Sequence, residues 1–221
     1  MIQRILLLVS CTLLLATPAS GQLSDADDAF QRGVELQEIG RFGEAINAYD
    51  QAIQLRSSYL TAYNNRGAAY GALQQYERAI TDFNEAIRLN PKYTEAYCNR
   101  GAAYGALKQY DKAIRDFDEA VRLDPSYTRA YNNLAWLLAT AEEPSIRDGR
   151  RAVELAIKAC TQSRCQDAYL FDTMAAAYAR IGDFAKAIEW QEKAIAKAEQ
   201  ARDSATKERL QRYREGKAWP D

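Results

Sequence analysis

Cysteines and carboxylates are the side chains of this sequence with the widest scope for chemistry. The chain contains four cysteines and 30 acidic residues but no histidine. Histidine is the commonest general base and the commonest metal ligand in proteins. Its absence excludes Ser-His-Asp and Cys-His catalysis and histidine-ligated zinc. An enzyme of this sequence would therefore depend on a thiol such as Cys98 or on a pair of carboxylates.

Other motifs that carry chemistry are missing from the sequence. It has no glycine-rich phosphate loop ending in Lys-Ser or Lys-Thr, no Cys-x-x-Cys pair and no calcium-loop spacing of acids. The 29 basic and 30 acidic residues give a net charge of −1, which argues against general attraction to nucleic acid. The acids are interspersed with Arg and Lys, as in solvated pairs on helix surfaces. We therefore predict no cofactor, no metal and no nucleic-acid partner.

The first 21 residues have the pattern of an export signal. Arg4 precedes an apolar run over residues 5–16, and small residues follow at 18–21. We expect cleavage near Gln22 and an exported bacterial chain, periplasmic or secreted. Two alternatives stay open, because residues 8–11 resemble a lipoprotein box that would attach lipid to Cys11, and an uncleaved signal could anchor the chain. Membrane attachment is expected only through one of these two routes.

Three cysteines remain after such a cleavage, and an exported chain enters an oxidising compartment that favours disulfides. Cys160 and Cys165 flank four polar residues of a kind typical of a chain reversal. Such a reversal can bring the two Cα atoms within the roughly 4.4–6.8 Å that a disulfide requires. We predict a Cys160–Cys165 bond and a free Cys98. The alternative is two unpaired cysteines packed as small apolar groups.

Internal repetition is the strongest pattern in the sequence. Residues 60–93 and 94–127 are identical at 23 of 34 aligned positions, and both contain Asn-Arg-Gly-Ala-Ala-Tyr-Gly-Ala-Leu. A period of 34 residues is typical of helical hairpins that stack into an array, because one hairpin cannot bury its apolar face alone. The sequence therefore predicts an all-α fold.

Small and aromatic residues recur in this 34-residue frame. The small residues are Gly33, Gly67, Gly101, Ala135 and Ala175. Alanine pairs seven residues apart follow in each unit, and this spacing places each pair on one face of a second helix. Tyr49, Phe83 and Phe117 are expected to fill the volume between two helices that the small residues allow to approach closely.

This order of small residue, Tyr, Ala, Phe and Ala, closed by Pro, resembles the tetratricopeptide repeat. The frame gives units at 26–59, 60–93, 94–127, 128–167 and 168–201. The fourth unit is extended around Glu142 to Ile146, and the C-terminal units resemble a variant found in many bacterial repeat proteins. The resemblance implies a right-handed solenoid of about five antiparallel helix pairs over residues 22–201. A capping helix and tail are expected at 202–221.

The resemblance also implies that the first helix of each pair lines a concave groove. The predicted binding residues on that face are Asn64, Asn65, Asn99, Arg129, Asn132, Asn133 and Trp136. An asparagine amide both donates and accepts hydrogen bonds, so a row of amides suits the backbone of an extended peptide. The alternatives are a solvated helix face, or asparagines that bond neighbouring helices.

Trp136 has two interpretations. It could anchor a partner, because tryptophan offers a large apolar area, or it could fill the core beside the longer fourth hairpin. Co-chaperones of the family hold a carboxyl terminus with a clamp of basic and amide residues. That clamp is absent or incomplete here, since Glu95 stands at a position that the clamp requires to be basic.

The function we predict is a non-enzymatic scaffold that binds a protein or peptide in the concave groove outside the cytoplasm. The second interpretation is an assembly factor of a cell-envelope complex, tethered by an uncleaved signal anchor or by lipid. The third is an enzyme that uses Cys98 or a carboxylate pair. A closed site with a perturbed thiol or carboxylate pKa would favour the enzyme, whereas an open groove would favour the scaffold.

Overall fold

The computed structural model of the chain describes residues 19–197 and 204–220. These two ranges contain eleven α-helices, one short 3-10 turn (Pro144–Ile146) and no strand. The helices are α1 (Ala19–Glu38), α2 (Phe42–Leu55), α3 (Leu60–Ala72), α4 (Tyr76–Leu89), α5 (Thr94–Ala106), α6 (Tyr110–Leu123), α7 (Thr128–Thr140), α8 (Gly149–Gln162), α9 (Ala168–Arg180), α10 (Phe184–Lys197) and α11 (Ser204–Arg214). The prediction of an all-α helical repeat solenoid is confirmed for this part of the chain.

Consecutive helices pack as hairpins, and each hairpin stacks on the next one through its second helix. The pairs are α1 with α2, α3 with α4, α5 with α6, α7 with α8 and α9 with α10. Most of the predicted signal, residues 1–18, lies outside the described residues, and α1 begins at Ala19. Within the described ranges, no helix combines the length and the apolar character that crossing a bilayer demands.

Glycines on the first helices allow aromatic rings from the second helices to lie against the backbone. A Cβ atom on Gly67 would lie 2.7 Å from Phe83 Cε1, and one on Gly101 would lie 2.8 Å from Phe117 Cε1. Both phenylalanines are only 2% exposed. These distances are shorter than van der Waals contact, so any larger residue would displace the ring and disturb the packing between the two helices.

The turn inside four of the five hairpins uses a residue in the left-handed backbone region. Gly40, Gln74, Lys108 and Gly182 have φ angles of 77°, 59°, 57° and 82°. Glycine adopts this region without a steric penalty, whereas a residue with a Cβ loses roughly 1–2 kcal/mol there. In the fourth hairpin the longer connection with its 3-10 turn replaces this tight turn.

We expect Gln74→Gly to raise the free energy of unfolding by about 0.5–1 kcal/mol, because glycine removes the strain of the left-handed backbone. Gly40→Ala at the same repeat position is the matched reversal and should lower it by about 1 kcal/mol. Urea unfolding followed by circular dichroism measures both changes. A stability change of the same sign in the two variants would show that backbone strain does not govern these turns.

Two buried carboxylates connect neighbouring helices. Asp82 and Asp116 are 4% and 6% exposed. Asp82 accepts hydrogen bonds from Arg66 Nε at 2.8 Å and from Arg66 Nη2 at 2.6 Å, and Arg100 makes the same two contacts with Asp116 at 2.7 Å each. Arg66 also pairs with Asp50 of α2, so one guanidinium joins three helices. The expectation that the acids form solvated surface pairs is wrong for Asp82 and Asp116.

Cys160 and Cys165 are disulfide-bonded in the structure, and their Cα atoms lie 4.2 Å apart, slightly closer than the roughly 4.4–6.8 Å expected from the sequence. Helix α8 continues to Gln162, so the chain reversal begins later than the sequence suggests. Arg164 and Cys165 then adopt left-handed φ angles of 59° and 48°. Cys98 is free and fully buried, which denies it access to a thiol on a second chain.

The unfolded, non-reduced mature chain, which lacks residues 1–21 and therefore Cys11, should expose one reactive thiol, that of Cys98. Quantitative labelling with a thiol reagent in denaturant measures this number, and a Cys98→Ser variant should then show none. Reduction of the bond should lower the free energy of unfolding by about 2 kcal/mol, since the closed loop is short. Three reactive thiols in the non-reduced wild-type chain would refute the bond.

Helix α11 packs on α10 and covers the C-terminal end of the array. Tyr213 is 1% exposed and lies against alanines of α9 and α10. Arg209 is 7% exposed and makes a bidentate pair with Asp172 of α9, with Nε–Oδ1 and Nη2–Oδ2 distances of 3.0 and 2.7 Å. The last helix is therefore fixed both by an apolar contact and by a buried ion pair.

Candidate functional site

The first helices of the second and third hairpins present small side chains on one face. Ala72 of α3 and both Ala102 and Ala106 of α5 are exposed, while Gly71 and Gly105 are half-buried. Positions three and four apart share a helix face, so these residues form a continuous strip on each helix. We call the surface formed by α3, α5 and α7 the groove. It contains two pockets.

The α3–α5 pocket has a volume of about 330 Å³. Its lining residues are Ala68, Gly71, Tyr76, Phe83, Asn99, Ala102, Ala103, Ala106 and Arg129. The two aromatic rings come from the second helix α4, and the alanines come from α3 and α5. The lining is mainly apolar, with Asn99 and Arg129 as its amide and its cation.

The α5–α7 pocket has a volume of about 370 Å³. Its lining residues are Ala102, Gly105, Ala106, Tyr110, Phe117, Asn133, Trp136, Leu137, Thr140, Ala141 and Glu142. Ala102 and Ala106 line both pockets, so the two pockets adjoin along one side of α5. Glu142 belongs to the longer connection of the fourth hairpin, and its carboxylate lies 2.6 Å from Lys108 Nζ.

The two pockets are copies of one site. Five lining pairs keep the same residue type 34 positions apart, namely Ala68 and Ala102, Gly71 and Gly105, Tyr76 and Tyr110, Phe83 and Phe117, and Asn99 and Asn133. The sequence repeat therefore produces a repeated pocket geometry. Apolar pockets of this size with a few polar groups are typical of ligand sites.

The predicted asparagines form bonds between the first helices. Asn99 Nδ2 donates to Asn64 Oδ1 at 2.9 Å and so joins α5 to α3. Arg129 of α7 donates to Asn99 Oδ1, and Asn133 Nδ2 donates to Cys98 Sγ at 3.5 Å. A polar ladder therefore connects α3, α5 and α7 along the groove.

This ladder corrects the predicted row of peptide-binding amides. Asn64, Asn99 and Asn132 are 1%, 7% and 7% exposed, so burial largely withdraws these amides from a ligand. The alternative in which asparagines bond neighbouring helices describes Asn64 and Asn99. Asn65 is half-buried and lines neither pocket, whereas Asn133 is half-buried and lines the α5–α7 pocket. Of the asparagines, Asn133 retains the predicted role best.

Trp136 lies between the core and the groove, so its interpretation as a partner anchor stays a prediction. The side chain is half-buried and packs against the core cluster around α5 to α9, yet it also lines the α5–α7 pocket. The guanidinium carbon of Arg209 lies 5.5 Å from the ring centroid. Since Asp172 holds Arg209 in place, the C-terminal helix supports the indole ring from the side of α9.

The groove ends at Trp136 because α7 packs directly against α9. Ala176 and Ala179 of α9 occupy the repeat positions of Ala102 and Gly105, but they are only 1% and 2% exposed. The equivalent face of α9 is thus buried. On its C-terminal side the groove therefore does not extend beyond α7.

The one free thiol beside the groove lacks the properties of a nucleophile. Burial raises the pKa of Cys98 to about 11, so the thiol is protonated at neutral pH. The thiolate is the reactive form of cysteine. Cys98 Sγ also accepts the hydrogen bond from Asn133. Among the residues that the structure describes, no cluster of three or more acids and cysteines could hold a metal ion.

Sequence reasoning missed the contribution of the second helices to the pockets. The frame assigns Phe83 and Phe117 to the volume between helices, and the structure shows that they also line the pockets. Tyr76 and Tyr110 received no role, although both open a second helix at the same repeat position. That recurrence is the signal that could have found them.

The architecture defines an α-helical repeat solenoid with a pocketed groove on its first helices. Tetratricopeptide repeat models match residues 94–127 and 168–202, and a TPR repeat model matches residues 33–74 and 69–108. The chain belongs to the tetratricopeptide repeat family. The extended fourth unit, residues 128–167, lies between the matched ranges.

Several solved structures share this fold over most of the chain. TTC0263, a thermophilic TPR protein of Thermus thermophilus, is 18% identical, with a TM-score of 0.68 over 86% of this chain and 98% of its own. MamA is 21% identical, with a TM-score of 0.61 over 81% and 94%. YrrB, described as a TPR protein with an unusual peptide-binding site, is 23% identical, with a TM-score of 0.58 over 86% and 95%. No curated protein sequence matches the chain.

Proposed function

We propose that this protein is a non-enzymatic interaction scaffold that binds a peptide segment of a protein partner in the groove of α3, α5 and α7. The observation that carries the proposal is the pair of adjoining, repeat-equivalent pockets of about 330 and 370 Å³ on one open face. Successive pockets suit a chain whose side chains enter them one after another. The alanine and aromatic residues that line both pockets favour apolar side chains, and Asn133 offers an amide to the peptide backbone.

The state of the reactive groups supports binding over catalysis. Cys98 is buried with a raised pKa, and the two buried carboxylates, Asp82 and Asp116, are held by Arg66 and Arg100. Catalytic acids, bases and nucleophiles need access to substrate as well as a tuned pKa. Burial denies all three groups access to substrate.

We place the scaffold outside the cytoplasm, periplasmic or secreted. The signal-like residues 1–21 and the Cys160–Cys165 bond support this location. The expected result is a secreted or periplasmic chain that begins near Gln22, as measured by intact mass spectrometry of the protein from its native host. A mature protein that retains Met1, or one that carries lipid on Cys11, would favour the tethered alternative.

The test of the binding role uses a variant that places a bulky charged side chain where the two pockets adjoin. Ala102 is exposed and lines each of them, so Ala102→Arg should block the groove without disturbing the core. Asn47→Arg adds the same charge at an exposed position of the second helix α2 and is the matched control. Peptides selected from a random display library on the wild-type chain should lose at least tenfold in affinity for Ala102→Arg and keep it for Asn47→Arg. Equal binding by all three proteins would place the interaction elsewhere.

A further inference from the structure

The two pockets of the groove differ at the positions where the repeat does not conserve residue type. On the side of the next first helix, the α3–α5 pocket has Ala102, and the α5–α7 pocket has Trp136 at the equivalent position. The α3–α5 pocket also includes the cation Arg129. These differences make the groove asymmetric, so the side chains that fit its two halves differ.

The α5–α7 pocket is an aromatic site. Trp136, Tyr110 and Phe117 all line it, and small residues of α5 complete its opposite wall. The ring of Trp136 is held from outside by Arg209, which the Asp172 carboxylate fixes with two hydrogen bonds. A rigid aromatic wall favours a bulky apolar side chain of the ligand. Because the Trp136 ring is already held in place, it loses little conformational entropy when the ligand binds.

The α3–α5 pocket has a cation that is not in an ion pair. Arg129 is exposed on α7, donates to the neutral amide of Asn99 and contacts the Tyr127 hydroxyl, and it makes no ion pair within residues 19–197 and 204–220. Glu95, the acid on the neighbouring helix, accepts hydrogen bonds from Asn64 at 3.2 Å and from the Tyr93 hydroxyl at 3.3 Å. A guanidinium with spare donors binds a carboxylate well, in fork geometry.

The acid that lines the other pocket does not oppose a negative ligand strongly, because the carboxylate of Glu142 is paired with Lys108 at 2.6 Å. We infer that the groove selects a peptide segment in which a bulky apolar side chain fills the α5–α7 pocket while a neighbouring acidic side chain binds Arg129. This inference rests on the proposed function and adds the chemistry of the ligand to it. The acidic contact is exposed, so it should weaken as salt rises.

The test begins with a random peptide library displayed against the full chain. Clones that bind the wild-type chain but not Ala102→Arg are sequenced, and one is synthesised with its acid changed to the amide or its bulky side chain changed to alanine. On the wild-type chain the bulky-to-alanine change should weaken binding at least tenfold, and the acid-to-amide change by about two- to fivefold, the range typical of an exposed ion pair. On Arg129→Gln the acid-to-amide change should have almost no further effect, and Arg129→Lys should restore part of the difference.

The aromatic pocket is tested with Trp136→Ala in the same way. The bulky-to-alanine change in the peptide should cost little on this variant, and Trp136→Leu serves as a second variant if the alanine form unfolds. Two results would overturn the inference and leave the proposed function intact. In the first, clones that depend on the groove lack either the acid or the bulky side chain. In the second, the effects of the peptide and protein changes on affinity are simply additive. A selection that yields no clone sensitive to Ala102→Arg would overturn the proposed function itself.

Discussion

Phe117→Ala should lower the free energy of unfolding by about 3–5 kcal/mol, a loss typical of buried phenylalanines. The ring is 2% exposed and lies against the Gly101 backbone, where a Cβ would be only 2.8 Å from Cε1. Removing it opens a cavity between α5 and α6 that the surrounding structure closes only in part. Urea unfolding measures the change.

The control for this prediction is Phe184→Ala. Phe184 is half-buried at the start of α10 and is not seated against a first-helix glycine. Its truncation should have a clearly smaller effect, since less apolar area is lost and no closed cavity forms. If the free energy of unfolding falls equally in the two variants, the packing of aromatic rings against glycine is not what stabilises the hairpins.

Asp116→Ala should destabilise the chain by about 3 kcal/mol, because breaking a buried ion pair leaves the other charge without its partner. The variant removes a buried carboxylate that accepts two hydrogen bonds of 2.7 Å from Arg100, whose own side chain is 18% exposed. The Arg100 guanidinium would then remain largely buried and unpaired. Thermal and urea unfolding of the variant measure the loss.

The matched comparison for Asp116 is Glu119 on the same helix. Glu119 pairs with Arg122, which is 68% exposed, and surface pairs of this kind contribute little. Glu119→Ala should therefore change the stability by less than about 0.5 kcal/mol. An Asp116→Ala effect no larger than that of Glu119→Ala would refute the role given to the buried pair.

The sequence predicts the elements of this fold well, because their signals are local. The 34-residue period, the recurrent small residues such as Gly67 and Gly101, and the aromatic residues that face them depend on packing inside one hairpin. Those contacts repeat with the sequence. The chain reversal at Cys160 and Cys165 is also local, although the helix before it continues to Gln162, within the polar tetrapeptide.

The groove could be predicted only in part, because its details depend on contacts between hairpins. Asn99 donates to Asn64 and not to Asn65, the residue that precedes it by one repeat of 34 positions. The pair therefore forms only because successive first helices are offset from each other. Neighbouring residues on a helix point about 100° apart, and the repeat period does not fix which of them meets the next helix. The pairing of Arg66 with Asp82 lies inside one hairpin and repeats as Arg100 with Asp116, but in the sequence these residues look like ordinary surface charges.

The C-terminal limit of the groove could not be predicted from the sequence either. The insertion in the fourth hairpin is visible as five extra residues, but it does not show that α7 packs directly on α9 and buries Ala176. Nor does it show that Arg209, from the last helix, supports the ring of Trp136. These contacts join segments that are far apart in the chain.

Photo-crosslinking is the most direct test of whether a peptide binds in the groove. A peptide selected on the wild-type chain is synthesised with a photoreactive side chain, and the crosslinked residues are identified by mass spectrometry. If the peptide binds in the groove, it should crosslink to α3, α5 and α7, at residues such as Ala102, Ala106 and Trp136. These crosslinks should be lost in Ala102→Arg. Crosslinks that map instead to the outer surface of the second helices, around Asn47 or Thr81, would contradict binding in the groove.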